Sequence, residues 1–216
     1  MDEIHGHSRA TGRARRGTPM ACRQTMTIQT QAGSNNLYDV AQIRRDAKQS
    51  MLKGAVTADY PLDLARTYAL LNEALAAEIL CVLRYRHHQV VAKGIDNPQV
   101  AAEFAEHADD EQRHMMHIAE RIDQLGGDPD MNPATVVQRA STEYGTTDTL
   151  TKMIQDDLVA ERVVIEIYRK LIQWFGNADP TSRRMFEKIL ADEEEHANDL
   201  SDLLASIDPR TKPRGE

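Results

Sequence analysis

Residues 70–85 read LLNEALAAEILCVLRY. At helical spacing Leu64, Tyr68, Leu71, Leu75, Val82 and Tyr85 fall on one apolar stripe. This is the 3-4-3-4 rhythm of a helix that buries one face. The slot between Leu75 and Val82 holds Glu78. An ionised carboxylate without a partner is expensive in a core, so this position demands a compensating charge.

The same pattern recurs along the chain. The spacing predicts a long helix from Pro61 to about Lys93, and a second from Pro98 to Gly126-Gly127. A third covers about Asp148 to Phe175, and a fourth runs from Asp179-Pro180 to about Ser206. Pro opens a helix without losing a needed N–H, and Gly closes one. The second helix carries Phe104, Ile118, Ile122 and Leu125, with Glu111 and His114 between them. The third carries Ile154, Leu158, Ile165, Tyr168 and Ile172, interrupted by Glu161. The fourth carries Ile189, Leu190, Leu200, Leu203 and Leu204, interrupted by Glu193 and His196. No segment alternates with period two over any length, so no sheet is expected.

Connection lengths set the topology. The first and second long helices are joined by a short turn, and so are the third and fourth, which makes two antiparallel hairpins. A long connection over residues 128–147 joins the pairs. The expected fold is therefore all-α: a four-helix bundle of the ferritin-like form, with one long crossover. A shorter helix over 37–53 precedes it. The domain plan is a disordered tail over 1–35, an N-terminal helix and linker over 36–58, the four-helix bundle over 59–207 and a polar tail over 208–216.

Composition bounds the function. The 216 residues are 41% hydrophobic and 28% charged, with net charge −8. Five arginines against Asp2 and Glu3 make residues 1–25 +3 and leave −11 for the remainder. An acidic body argues against nucleic acid as the main partner, although the basic tail offers a DNA contact as the minority reading. Arg15-Arg16 is not followed by the apolar stretch of an export signal. No apolar run reaches the length of a membrane span. Cys22 and Cys81 form no disulfide framework, and a reducing cytoplasm is expected.

Four mid-stripe carboxylates and two histidines suit a pair of metal ions. Glu and His three residues apart, in EQRH (Glu111, His114) and EEEH (Glu193, His196), project from one helix face. With Glu78 and Glu161 they make a set of four carboxylates and two imidazoles. Two divalent ions neutralise that charge. One Glu-x-x-His is weak on its own; two, on the second and fourth helices and facing mid-core Glu on the other two, make the pattern of ferritin-like di-metal proteins.

The segments LNEALAAEILCVLRY, HADDEQRHMMHIAERIDQLGG, DLVAERVVIEIYR and ILADEEEHANDLSDLL resemble the bacterioferritin branch of the ferritin-like superfamily. The segment RRDAKQSMLKGAVTADY resembles an added N-terminal helix of a bacterioferritin-like subgroup. The resemblance implies Glu78 and His114 as terminal ligands of one iron, and Glu161 and His196 as terminal ligands of the other. Glu111 and Glu193 would bridge the two. It implies ferroxidase activity with dioxygen or peroxide, and iron storage in a homo-oligomeric shell. Two iron ions per subunit are expected, with manganese as the alternative. Gln112 stands where bacterioferritins place a haem-ligating Met, so no haem is expected. Only SIDPRTKPRGE follows the fourth helix, where the family's 24-subunit cage uses a fifth. The alternatives are a DNA-protecting stress protein of the Dps-like kind and a non-storage di-iron or di-manganese oxidase or peroxidase. Rubrerythrin is disfavoured because rubredoxin-like Cys pairs are missing.

Other residues take plainer readings. His107 is read as a partly exposed histidine in preference to an accessory ligand or iron-uptake group. Asp110 and Asp157 are read equally as supports for His114 and Glu161 or as surface ion pairs. Tyr85 is read as packing in preference to a hydrogen bond to a ligand or an electron-donor role, Cys81 as buried and inert, and Trp174 as packing. His87 and His88 lack carboxylates at ligand spacing.

Overall fold

The structure is a computed structural model that describes residues 37–92, 98–145 and 149–207. Every regular element among them is a helix: α1 Val40–Gln49, α2 Leu64–Ala92, α3 Pro98–Gln124, α4 Val136–Arg139, α5 Leu150–Phe175 and α6 Pro180–Ile207. The expected tails over 1–35 and 208–216 lie outside the described residues. The N-terminal helix is shorter than the expected 37–53, and none of its residues is buried.

The helix ends follow from local chemistry. Asp63 Oδ1 accepts from Arg66 N at 2.7 Å and caps α2. Asp179 Oδ1 accepts from Ser182 N at 2.9 Å and caps α6, where Pro180 occupies the first turn. Such caps satisfy donors that the helix itself leaves free. At the far end of α3, Gly126 has φ +81, a conformation that favours glycine. Gly127 is required for a different reason: a Cβ there would lie 2.6 Å from Tyr68 Cδ1. Tyr68 crosses the turn to donate its hydroxyl to Leu125 O at 2.6 Å.

α2 packs along α3, and α5 along α6; α2 on α5 and α3 on α6 close the bundle. The crossover contains α4, too short for any periodic pattern to reveal. It is held to α2 by Arg139, which donates to Asn72 O at 3.0 Å and Asp130 O at 2.8 Å.

The core is in two parts. One apolar cluster holds Leu71, Leu75, Ile118, Ile122, Tyr168, Phe175, Phe186 and Ile189. The other holds Cys81, Tyr85, Val100, Phe104, Met153, Ile154 and Leu200. On each long helix the break between the two falls at the carboxylate: Glu78, Glu111, Glu161 and Glu193. Each fully buried Leu or Phe stabilises by about 1.5–3 kcal/mol, so the two clusters carry the fold and the polar layer between them draws on that stability. The stripe on α5 sits slightly off its expected line. Asp157, Val164 and Leu171 are buried, while Leu158 and Ile172 lie at the partly buried margin.

Candidate metal centre

All six residues singled out from the sequence converge in this polar layer, and each is at most 3% exposed. Two groups that could each hold a metal ion result: Glu78, Glu111, His114 and Glu193, and Glu111, Glu161, Glu193 and His196. Within each group the ligand atoms lie within 4.8 Å of one another, and Glu111 and Glu193 belong to both. His114 Nδ1 lies 3.1 Å from Glu193 Oε1 and 3.7 Å from Glu78 Oε2. His196 Nδ1 lies 3.4 Å from Glu193 Oε2 and 3.8 Å from Glu111 Oε1.

The atoms facing inward are left without hydrogen bonds. These are Glu78 Oε2, Glu111 Oε1, Glu161 Oε2, both oxygens of Glu193, and Nδ1 of His114 and His196. Buried polar atoms are almost always bonded. A cluster of exceptions on six converging side chains fits a cation pair, whose charge would balance four carboxylates.

The atoms facing outward are held. Tyr168 donates its hydroxyl to Glu78 Oε1, and Tyr85 donates to Glu161 Oε1. His114 Nε2 lies 2.9 Å from Asp192 Oδ2, and His196 Nε2 lies 3.4 Å from Asp110 Oδ2. A carboxylate on the far ring nitrogen fixes the tautomer that turns Nδ1 inward as a lone-pair donor. The arrangement has an approximate two-fold sense. In α2 and α5 a Tyr follows the Glu by two turns, and in α3 and α6 an Asp directly precedes it. Each of these Tyr and Asp residues serves a ligand on another helix.

Electrostatics record the crowding. Burial first, and the Glu78 charge second, push Glu111 up to about 8. Burial and the Glu193 charge also hold Glu161 well above the carboxylate range. Burial would lower His114, but the Glu111, Glu193 and Glu78 carboxylates more than reverse it. His196 is raised in the same way, chiefly by Glu193. The metal-free centre thus retains protons that bound cations would displace.

Several plainer readings are corrected. His107 is 2% exposed and stacks on His196 with ring centroids 4.1 Å apart. Asp110 takes both of its readings, pairing with the exposed Arg113, but the imidazole it serves is that of His196 on α6 in place of His114 on its own helix. Asp157 supports no ligand and is no surface pair. It is fully buried, taking Arg84 Nε on one oxygen and His88 Nδ1 on the other, both at 2.7 Å. His88 therefore has its carboxylate, supplied from α5. Tyr168 was read only as part of an apolar stripe and Asp192 was not singled out; the repeated Glu-to-Tyr and Asp-Glu spacings were the available signal. Tyr85 does more than pack, since it bonds Glu161, and Cys81 is buried with its thiol pushed up by burial. Gln112 is exposed.

The sequence matches the ferritin-like domain over residues 68–209. A nutrient stress-induced DNA-binding protein of Nostoc sp. is 30% identical over 138 residues, 62% of this chain and 75% of that protein. Among solved structures, the dodecameric thioferritin from Bacteroides fragilis, a bacterioferritin-related protein, superposes with TM-score 0.65 and 32% identity. That match covers 68% of this chain and 88% of the other. The bacterioferritin of Desulfovibrio desulfuricans, solved with its diiron site in different catalytic states, gives TM-score 0.60 and 26% identity. Here the coverage is 67% and 81%.

Proposed function

The chain belongs to the ferritin-like domain family, and we propose that it is a ferroxidase and iron-storage protein of the bacterioferritin kind. Fe(II) is its substrate, and dioxygen or peroxide is the oxidant. The observation that carries this reading is the pair of ligand groups sharing Glu111 and Glu193. Glu78 and His114 would hold one ion, Glu161 and His196 the other, and the shared glutamates both. Two adjacent Fe(II) ions supply two electrons together, enough to reduce dioxygen to peroxide or peroxide to water.

The chain's own residues do the rest. Carboxylate oxygens are hard donors suited to Fe(III), and imidazole suits Fe(II). Tyr85 and Tyr168 hold one oxygen of each terminal glutamate and leave the other for the ion. Asp192 and Asp110 keep the imidazoles turned inward. The acidic body attracts cations to the surface. The ions would be iron, with manganese as the alternative, and no haem is expected at Gln112. The working form would be a homo-oligomer, in keeping with the dodecameric thioferritin, and its compartment the cytoplasm. Among the described residues no helix is long and apolar enough to cross a membrane.

The test is native mass and iron content after aerobic loading with Fe(II). A large particle with many irons per chain supports storage; two irons per chain and no more would favour a non-storage oxidase. The Nostoc relative, a DNA-binding protein, favours a second reading in which the basic tail contacts DNA. Salt-sensitive retardation of DNA, lost on deleting residues 1–25, would support it.

A further inference from the structure

His107 occupies a core slot of α3 one turn before Glu111. Its ring stacks on His196 and meets Tyr85 edge-on at a centroid distance of 5.3 Å. Neither ring nitrogen makes a hydrogen bond, although the residue is 2% exposed. Leaving both unbonded is unfavourable, and nothing in the six-residue centre removes the cost. What Nε2 does face is a carboxylate: Glu103 Oε1 lies 3.4 Å away, off hydrogen-bond geometry. Asp199 of α6 supplies a third ligand atom, and all three lie within 4.8 Å of one another. Glu103 and Asp199 also edge a surface cleft of about 300 Å³, shared with Asp202, Leu203 and Ser206. The two carboxylates thus line the cleft, and the buried imidazole lies behind them.

We propose that Glu103, His107 and Asp199 form a third divalent-cation site, sharing no residue with the six-residue centre and open to solvent through this cleft. One imidazole and two carboxylates suit a first-row divalent ion such as Zn(II), Mn(II) or Fe(II). The two carboxylates balance its charge, and the open side leaves room for exchangeable water. Because the His107 ring lies on the His196 ring, an ion held here stands beside the centre.

The electrostatic state is consistent with this. Burial and the facing Asp199 charge raise Glu103, a strain that a cation between the two carboxylates would relieve.

The site goes beyond iron oxidation and is tested without it. Calorimetric titration of the metal-free, assembled protein with Zn(II) should give three equivalents per chain. His107→Ala and Asp199→Asn should each give two, and Glu193→Ala should keep the equivalent that those variants lose. Crystals soaked in Zn(II) should show an anomalous peak among Glu103, His107 and Asp199. If His107→Ala does not fold, Asp199→Asn, at the edge of the cleft, carries the test. No peak at these residues, or a wild-type stoichiometry in the variants, overturns the proposal and leaves the six-residue centre standing.

Discussion

Asp157 and Glu161 lie one turn apart on α5, and neither is exposed to solvent. Each takes a bond from one of two adjacent α2 residues, Arg84 and Tyr85. There the likeness ends. Asp157 receives Arg84 Nε on one oxygen and His88 Nδ1 on the other. Glu161 receives a neutral hydroxyl on Oε1, and its Oε2 makes no hydrogen bond. One carboxylate is complete within the chain; the other keeps a buried oxygen without a partner. A buried charge is thus structural or functional according to whether its last lone pairs are spent, and burial alone does not separate the two cases.

The largest effect should come from breaking the complete cluster. Asp157→Ala strands Arg84 in the core, and breaking a buried pair in this way costs about 3–5 kcal/mol. For a chain of this size that is a fall on the order of 10 °C in Tm, read by thermal unfolding of the metal-free protein. A fall of a degree or two would put Asp157 in the same class as Glu161.

Next come the carboxylates that would bridge. Glu111→Ala and Glu193→Ala should abolish fast iron oxidation, while Glu78→Ala and Glu161→Ala, which would touch one ion each, should lose less. Initial rates under stopped flow give the ranking, and equal losses across all four would remove the bridging assignment. A smaller loss is expected from Asp192→Ala, which frees the far nitrogen of His114: about 10–100-fold in metal affinity or rate. The same change in an unrelated surface Asp should do nothing.

The smallest effect is the pH dependence set by another complete carboxylate. Burial would raise Asp179, but bonds from Ser182, Arg121 and Tyr60 hold it below the usual range. A depressed carboxylate contributes stability above its unfolded value of about 3.9 and loses it as pH falls through the lower folded value. Asp179→Asn should therefore flatten the acid limb of the stability profile below about pH 4, with the neutral range shifted by a constant amount. An acid limb as steep as the wild type's would remove Asp179 as its source.

How much of this was legible in the sequence follows the same division. The four long helices, their pairing and the six converging residues were readable, because apolar periodicity is local and each interrupting Glu or His breaks it visibly. Asp157, His88 and Arg84 were not readable as a unit, since their partners come from another helix and no spacing within either one reveals them. His107 was misjudged for a related reason. Its slot on α3 is a core slot, but a polar residue there reads as exposed until α6 is seen to cover it. Asp192 and Tyr168 were hidden by treating each helix alone, although the repeated Asp-Glu and Glu-to-Tyr spacings were in the sequence.

The most direct test of the central distinction is thermal unfolding of Glu193→Ala beside wild type, each metal-free and after anaerobic addition of Fe(II). With two ions as the reason for these carboxylates, metal-free Glu193→Ala should unfold near the wild-type temperature, since it relieves repulsion with Glu161 while losing a carboxylate partner of His114 and His196. Fe(II) should raise the wild-type Tm far more than the variant's. A metal-free variant that unfolds well below wild type, with a wild type indifferent to Fe(II), would mean that these carboxylates hold the bundle together and bind no ions.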